Sequence, residues 1–397
     1  MANHRAENEP MRILHIMSGF GGGISSFIKN QAEGLVNRAI IFDVVTYDEC
    51  SPAFMNAIEA IGGNVYRLVN PKKDGWKAFR QSFINVLQQN TYDVVHCHIS
   101  GYRALPYRYL ARSYHIKKFY IHAHLTSLTN NHSIKYRIQT RLYQLINQML
   151  SDAYLGCSKE AIYSVFGQDI PENQIMVIPN SIDSFQFIEV DEKASDLRIS
   201  QRETYQFDLD DLVIGQVARL ETVKNHQFTL RLAHYMEENN LAGKFVLVGE
   251  GSLKDELSAE IKRLNLQQRV FILGRIHPIT EFYPMLDVLF LPSLREGLPT
   301  VVVEAQASGI PVVMADTITQ EVDLHLGMVQ AVALDDSLAN WYQAIVKASQ
   351  TQVPSMQKRL NRIKAENFTN ESAARLYEQF LRGKITSYQI GQSGGYE

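Results

Sequence analysis

Glu296 and Glu304 are separated by seven residues in the stretch Pro292-Ser293-Leu294-Arg295-Glu296-Gly297-Leu298-Pro299-Thr300-Val301-Val302-Val303-Glu304-Ala305-Gln306-Ala307-Ser308-Gly309. Pro299 suits a first helical position and Gly309 the residue just past a last turn, so a helix is predicted from Pro299 to about Ser308. Its N-terminal amides face a loop that follows an apolar strand, and such an end binds anions, phosphates above all. At about 1.5 Å of rise per residue, Glu304 lies roughly 7 Å deeper than Pro299, within reach of a ribose joined to that phosphate. Glu296 stays at the mouth, where it can hold a sugar hydroxyl. A glutamate in a helix is more often a solvated face residue. Here, however, Val301–Val303 and Ala305 surround Glu304, and an unpaired buried carboxylate is costly. Such a carboxylate calls for a hydroxyl-bearing ligand or an internal donor, and the pattern predicts a nucleotide-sugar site.

The elements that must hold these residues follow from the alternation of apolar runs and helical stretches. Strands are predicted at Ile13–Met17, Ile41–Thr46, Val65–Leu68, Val94–Cys97, Phe119–Ala123, Ala153–Gly156 and Met176–Ile178. A second series follows at Val213–Val217, Phe245–Val248, Val270–Leu273, Val288–Leu291 and Pro311–Met314. Continuous apolar strands separated by helices make parallel sheets covered on both faces. The polar stretch 188–208 reads as a connection plus a short helix. The expectation is an α/β chain of two doubly wound, Rossmann-like domains facing across a cleft, with ligands beyond the carboxyl ends of the strands. Residues 1–185 form the first domain and 186–371 the second, with a terminal helical segment within 372–397 returning to the first.

Bulk composition narrows the function classes. A chain of 397 residues with 45% hydrophobic content supports two substantial cores. A formal charge of −3 gives no general attraction to nucleic acid. Cys50, Cys97 and Cys157 are odd in number and widely spaced, which argues for a reduced compartment and against a cysteine-based zinc motif. The polar opening Met1–Pro10 does not read as a signal peptide, and no run of 18 apolar residues occurs. A cytoplasmic protein is expected.

Further short motifs accompany the Glu296–Glu304 stretch: Ala218-Arg219-Leu220 with Lys224-Asn225, Gly249-Glu250-Gly251, Leu273-Gly274-Arg275, and Ile178-Pro179-Asn180-Ser181-Ile182-Asp183. Together they resemble the GT-B retaining glycosyltransferases of family 4, in the style of bacterial exopolysaccharide and capsule transferases. The resemblance runs from about Met11 to the C-terminus and is most specific over Pro292–Pro311. It implies a hexosyltransferase-type reaction with retention at the anomeric carbon, no metal and no cofactor beyond a nucleotide-sugar co-substrate, expected to be uridine-linked. Arg219 and Lys224 would neutralise the donor diphosphate, aided by the helix near Pro299 and the residues Gly297, Leu298 and Thr300 around it. Glu304 would hold the ribose, Glu296 the donor sugar, and backbone at Arg275-Ile276 the base. Where the family usually has Gly before the arginine this chain has Ala218, which leaves the arginine's role intact but can reshape the turn beside the phosphates. No Asp-x-Asp closes a strand, and Asp208-Leu209-Asp210 reads as linker. No pair of carboxylates clearly flanks a scissile position as in retaining hydrolases. A front-side displacement fits better, with the leaving phosphate itself accepting the acceptor's proton.

In the first half, Gly19-Phe20-Gly21-Gly22-Gly23-Ile24-Ser25 follows the first strand. It lacks the dinucleotide fingerprint and reads equally as a flexible turn or as backbone open to an oxyanion. The resemblance implies that Gly22 and Gly23 approach the donor phosphate and acceptor region. His96-Cys97-His98 and His122-Ala123-His124 each end a strand with two imidazoles on one face. They could bind a metal, but no carboxylate completes a recognisable set, and strand-end histidines satisfied by backbone are commoner. Family alignment implies that His124, with His122 as the alternative, hydrogen-bonds the donor sugar.

Between 132 and 150, Ile134, Ile138, Leu142, Leu145, Ile146 and Met149 recur at helical spacing opposite Lys135, Arg137 and Arg141, downstream of Arg103, Arg108, Arg112, Lys117 and Lys118. The stripe suits a helix packed on the first sheet, and the basic edge suits an anionic membrane surface on the inner face. The function expected is transfer of a sugar to a glycan or lipid-linked acceptor in cell-surface or exopolysaccharide synthesis. A catalytically silent sugar-binding partner subunit and a sugar-nucleotide epimerase are the alternatives. A silent subunit would not need Arg219, Lys224, Glu296 and Glu304 together.

Overall fold

A computed structural model describes residues 10–124 and 133–391. The chain forms two compact units, 1–181 with 367–397, and 182–366. The divide therefore falls at Ser181/Ile182 and Glu366/Asn367, a few residues before the expected 185/186 and 371/372 boundaries.

Unit 1 holds a seven-stranded parallel sheet: β1 (Met11–Ile16), β2 (Ile40–Thr46), β3 (Val65–Arg67), β4 (Val94–Cys97), β5 (Lys118–Ala123), β6 (Tyr154–Gly156) and β7 (Ile175–Val177). Their order across the sheet is β3-β2-β1-β4-β5-β6-β7. Unit 2 holds β8 (Val213–Val217), β9 (Lys244–Val248), β10 (Val270–Gly274), β11 (Val288–Leu291), β12 (Val312–Ala315) and β13 (Val329–Val332), ordered β10-β9-β8-β11-β12-β13. Renumbered within the unit this is 3-2-1-4-5-6, the doubly wound order whose reversal point leaves a crevice at the strand ends. Every predicted strand is present within two residues of its expected ends. β13 was not predicted: its four residues lie at the sheet edge and alternate poorly, with only Val332 fully buried.

The cores are apolar and aromatic. In unit 1, Ile13, Phe27, Phe42 and Val94 pack with Tyr377 and Phe380 from the terminal helix. That helix spans Asn370–Leu381, starting two residues before the expected Ser372, and lies against the Gly23–Gly34 helix. In unit 2, Trp341 is fully buried between Phe228 and Phe290, and its indole N–H donates to Ala333 O at 3.0 Å.

Residues 188–208, expected as a connection with one short helix, contain the end of a helix over Ser184–Asp191 and a full helix over Ala194–Thr204. The second presents a fully buried Arg202. Its guanidinium donates to the carbonyls of Met285, Asp208, Leu209 and Asp211 and to Asp287 Oδ2 at 2.8 Å. The Asp208–Asp210 segment is thus a turn gripped by an arginine, consistent with its reading as linker. Among the described residues no helix is long and apolar enough to cross a membrane.

Candidate active site

In unit 2 the predicted donor residues converge at the carboxyl ends of β8, β9, β10 and β11. β8 runs into Ala218-Arg219-Leu220 and a short 3₁₀ turn, Thr222–Lys224, closed by Asn225 in the left-handed conformation (φ 56°). Asn225 then reaches across to the loop after β11, its side-chain amide donating to Pro292 O at 2.9 Å. Leu294 N–H donates back to Val223 O at 2.9 Å. From below, Gln216 donates to Lys224 O at 2.8 Å and is itself fixed by Thr229 at 2.7 Å. These bonds hold the two loops as one piece, which sets where Lys224 and Glu296 can point.

Gly249-Glu250-Gly251 explains itself through packing. A Cβ on Gly249 would lie 2.1 Å from Ala218 O, and one on Gly251 would lie 2.3 Å from Leu220 O. Neither distance is tolerable, so glycine lets the β9 loop press against the arginine loop. The backbone then pairs, with Ala218 N to Val248 O at 2.9 Å and Leu220 N to Glu250 O at 3.0 Å. Gly249 N also donates to Gly274 O at 2.8 Å, which draws the Arg275-Ile276 segment after β10 into the same cluster.

Lys224 Nζ lies 2.6 and 2.7 Å from the two oxygens of Glu296, and both side chains are largely covered. The sequence reading gave these residues separate tasks, diphosphate for one and sugar for the other. The structure pairs them instead, so the ammonium is already oriented and its charge partly balanced. Arg219 is exposed, and among the described residues no carboxylate pairs with it.

The helix after this loop spans Thr300–Ala307, with Pro299 at the N-cap rather than at the first helical position. Its N-cap makes no side-chain hydrogen bond, and of the first-turn amides Val302 N donates to Pro299 O at 3.2 Å. Glu304 accepts from the hydroxyl of fully buried Tyr283 at 2.7 Å. Burial raises the Glu304 pKa, while the hydrogen bonds from Tyr283 and Thr300 oppose that shift. Of the two partners expected for this carboxylate, the internal donor is thus present. Tyr283 was invisible in the sequence, because it lies in an unremarkable 3₁₀ turn ahead of β11.

In unit 1 the two histidine pairs come together, joined by His15 of β1, which sequence reading did not include. β1 and β4 pair in register at His15 and His96. His15 Nδ1 lies 3.0 Å from His98 Nε2, and His98 Nδ1 lies 2.7 Å from His124 Nε2. A second chain runs from the Tyr377 hydroxyl to His96 Nδ1, and from His96 Nε2 to His122 Nδ1 at 3.0 Å. Strand-end histidines satisfied by backbone were expected; these pair with one another instead, and His15 Nε2, His122 Nε2 and His124 Nδ1 are buried without a hydrogen-bond partner among the described residues. His15, His96, His98 and His122 are buried. Desolvation, helped by neighbouring imidazoles, holds the pKa of all four well below the usual histidine value. Desolvation brings His124 down to about 3. The rings are therefore neutral near pH 7.

Two triplets, His15/His96/His98 and His98/His122/His124, offer ring nitrogens within 4.8 Å of one another. His96 and His98 already spend both nitrogens in the network, so an ion would have to break these bonds. A cavity of about 790 Å³ adjoins the cluster, walled in part by His98, His122, His124, Ser100, Arg103 and Tyr143. His124 is only half-buried and sits in that wall. His124→Ala is expected to lower turnover sharply while leaving the melting temperature of the protein within a few degrees. Unchanged turnover would remove His124 from the chemistry.

The glycine loop is partly self-satisfied. Ser25 Oγ accepts from the amides of Gly21 and Gly22 at 3.3 and 3.2 Å, so those amides are not open to an oxyanion as expected. Hypothetical Cβ atoms on Gly21, Gly22 and Gly23 would meet nothing within 4 Å, so the loop surface itself is unobstructed.

Comparison with known proteins gives the family. The family model described as Glycosyltransferase Family 4 matches residues 21–184, and that described as Glycosyl transferases group 1 matches residues 198–323. EpsF of Bacillus subtilis, named as a glycosyltransferase, is 31% identical over 344 residues, covering 85% of this chain and 88% of its own. The chain belongs to the family 4 glycosyltransferases. Another relative in this group is an Escherichia coli enzyme named as a UDP-Gal:alpha-D-GlcNAc-diphosphoundecaprenol alpha-1,3-galactosyltransferase. It is 30% identical over 250 residues, 59% of this chain and 60% of its own. Anabaena HepE, solved with UDP and with UDP-glucose, shares the GT-B fold. Its TM-scores are 0.71 and 0.70, at 18% identity over 94% of this chain and all of its own.

Proposed function

We propose that this glycosyltransferase moves a hexosyl group from a UDP-sugar to a glycan or lipid-linked acceptor, with retention at the anomeric carbon. On this reading it serves cell-surface or exopolysaccharide synthesis at the cytoplasmic face of a membrane. It uses no metal and no cofactor beyond the nucleotide sugar. The observation that carries this reading is the convergence of Arg219, the Lys224–Glu296 pair, the helix start at Thr300 and the Tyr283-held Glu304 at one set of strand ends. Arg219, Lys224 and the helix amides meet the diphosphate, Glu304 the ribose, and backbone near Ile276 the base. The departing nucleoside diphosphate gains negative charge in the transition state, so cations fixed in advance stabilise that state more than the ground state. Support for uridine comes from HepE, solved with UDP and UDP-glucose, and from the UDP-Gal named for the Escherichia coli relative.

Glu296 and Glu304 are both occupied, the first by Lys224 and the second by Tyr283. Neither is placed as a ready nucleophile. This favours front-side transfer: the bond from the anomeric carbon to phosphate oxygen breaks, the acceptor oxygen bonds on the same face, and the leaving phosphate takes the acceptor's proton. His124 supplies a neutral imidazole for a sugar hydroxyl. UDP at a hundred times its Kd is expected to stabilise unit 2 by about 2.7 kcal/mol, guanosine and adenosine diphosphates less, and Glu304→Ala should weaken the effect. Equal shifts from all three nucleotides, or none, would overturn the donor assignment.

The predicted apolar stripe does not pack on the first sheet. In the Ile134–Leu150 helix, Ile134 is 75% exposed and Met149 83% exposed, with Ile138 and Leu142 also outward. Asn147 and Leu150 face inward instead. Outward apolar residues beside exposed Lys135 and Arg137 form a surface suited to anionic lipid. Co-flotation with anionic vesicles at low salt is expected, and absence of flotation would remove the membrane from the proposal.

A further inference from the structure

A second cavity of unit 1, about 760 Å³, has a different chemistry from the imidazole-lined one. Its walls include Tyr47, Trp76, Phe79, Tyr102, Tyr107 and Tyr109. The hydroxyls of Tyr47 and Tyr107 lie 2.6 Å apart and satisfy each other, leaving ring surface rather than hydrogen-bonding groups toward the cavity. Phe79 and Tyr107 are buried and meet edge to face, with ring centroids 5.3 Å apart. At the rim the apolar surface continues outward, with Trp76 53%, Tyr102 71% and Tyr109 73% exposed. Two cations, Lys72 and Arg103, stand in the lining, and among the described residues neither forms an ion pair. The two cavities share Ser18, Ile99, Tyr102 and Arg103, so Arg103 stands where they join.

We propose that this aromatic cavity takes the hydrocarbon chain of a lipid that is joined to the acceptor sugar through a phosphate or diphosphate link. Arg103 and Lys72 hold the anionic link, and the sugar end lies in the imidazole-lined cavity. Each segment of such a molecule meets its match: polar groups and neutral imidazoles for hydroxyls, unpaired cations for phosphate oxygens, and ring faces for methylenes. A free glycan would leave its hydroxyls facing tyrosine and phenylalanine rings with few polar groups to receive them, an unfavourable exchange for water. This assignment rests on the glycosyltransferase reading and narrows its acceptor to an amphiphile.

The test is direct binding, because the chain has two tryptophans and Trp341 is fully buried in unit 2. Trp76 emission therefore reports on the cavity. Octyl, decyl and dodecyl phosphate, kept monomeric, are titrated against the full-length protein. Saturable changes in emission are expected, with affinity rising up to about fifteenfold per added pair of methylenes, since one buried methylene is worth about fourfold, until the cavity is full. The signal should vanish in Trp76→Phe. The doubly substituted Lys72→Ala/Arg103→Ala protein should bind at least tenfold more weakly and lose its preference for alkyl phosphate over uncharged octyl glucoside. All three side chains are exposed, so circular dichroism should show the variants folded.

Affinity independent of chain length, or inorganic phosphate or free sugar competing as well as the alkyl phosphates, would overturn the proposal. The nucleotide-sugar reading fails separately. If UDP-sugars do not bind while alkyl phosphates do, the donor assignment falls and the cavity's ligand class stands. If a lipid-linked sugar and the same sugar free in solution are used at equal rates, and Lys72→Ala/Arg103→Ala slows neither, the cavity proposal falls and the donor assignment stands.

Discussion

Lys224→Ala is expected to lower kcat by about a hundredfold to a thousandfold, the usual cost of removing one preorganised group that meets charge developing in a transition state. Its ammonium sits 2.6 Å from Glu296 in a loop fixed by Asn225 and Gln216, so it needs no rearrangement to be oriented. The same substitution takes the ammonium away from Glu296, whose side chain is only 10% exposed. Breaking a fully buried pair costs about 3–5 kcal/mol, and the residual exposure here reduces that to about 2 kcal/mol. Activity and stability can be separated. The double substitution Lys224→Met/Glu296→Gln should recover most of the lost stability, because no buried charge is left unpaired, yet recover none of the rate. Single-turnover rates and denaturant melts on the three proteins provide the check. A Lys224→Ala enzyme with near-normal kcat would take Lys224 out of the diphosphate site.

The second large effect is acid sensitivity of unit 1. His15, His96, His98 and His122 are held neutral in the folded state, whereas in the unfolded chain each takes a proton as pH falls through about 6.5. Protons bound only by the unfolded state pull the equilibrium toward it. Their stabilising contribution is thus complete above pH 6.5 and declines below it, until the folded rings themselves protonate. Each ring costs about 1.4 kcal/mol for the first full unit below 6.5, so four together remove about 5 kcal/mol between pH 7.5 and 5.5. That is a large share of a typical domain's stability. Urea melts of unit 1 signals across this range should show the decline, and uptake of about five protons on unfolding at pH 5, the fifth by His124, which is held down to about 3 in the folded state. Constant stability through the window would mean that the rings are charged or solvated in the native protein.

The loop and helix that carry Glu296 and Glu304 were legible because they are contiguous in sequence. Glu296, the helix start and Glu304 are fixed relative to one another by a single loop and about one helical turn, so spacing alone gave their arrangement. Arg219 and Lys224 came from the resemblance, and the topology explains why they belong: β8 and β11 are neighbours at the sheet's reversal point. What stayed hidden depended on pairings between distant segments. Tyr283 against Glu304, Lys224 against Glu296, and His15 joining two His-x-His strand ends are contacts that no periodicity encodes. A histidine within β1, one residue before the strand's last residue Ile16, was the one available hint for the last of these. The Ile134–Leu150 stripe shows the opposite failure. Helical spacing correctly found the helix but could not say that its apolar side faces outward, because a stripe has the same period whether it meets a sheet or a lipid.

The terminal helix Asn370–Leu381 carries the consequence of the chain's route. Tyr377 lies at the heart of unit 1, against Phe42 and His96, although the whole of unit 2 separates it from the first seven strands. A ribosome therefore releases the contiguous middle segment in full before the N-terminal half receives its final core residue. The usual order, in which earlier domains mature first during synthesis, is reversed: the amino-terminal sheet must wait, its imidazoles lacking their phenolic partner, until the last turns of polypeptide emerge.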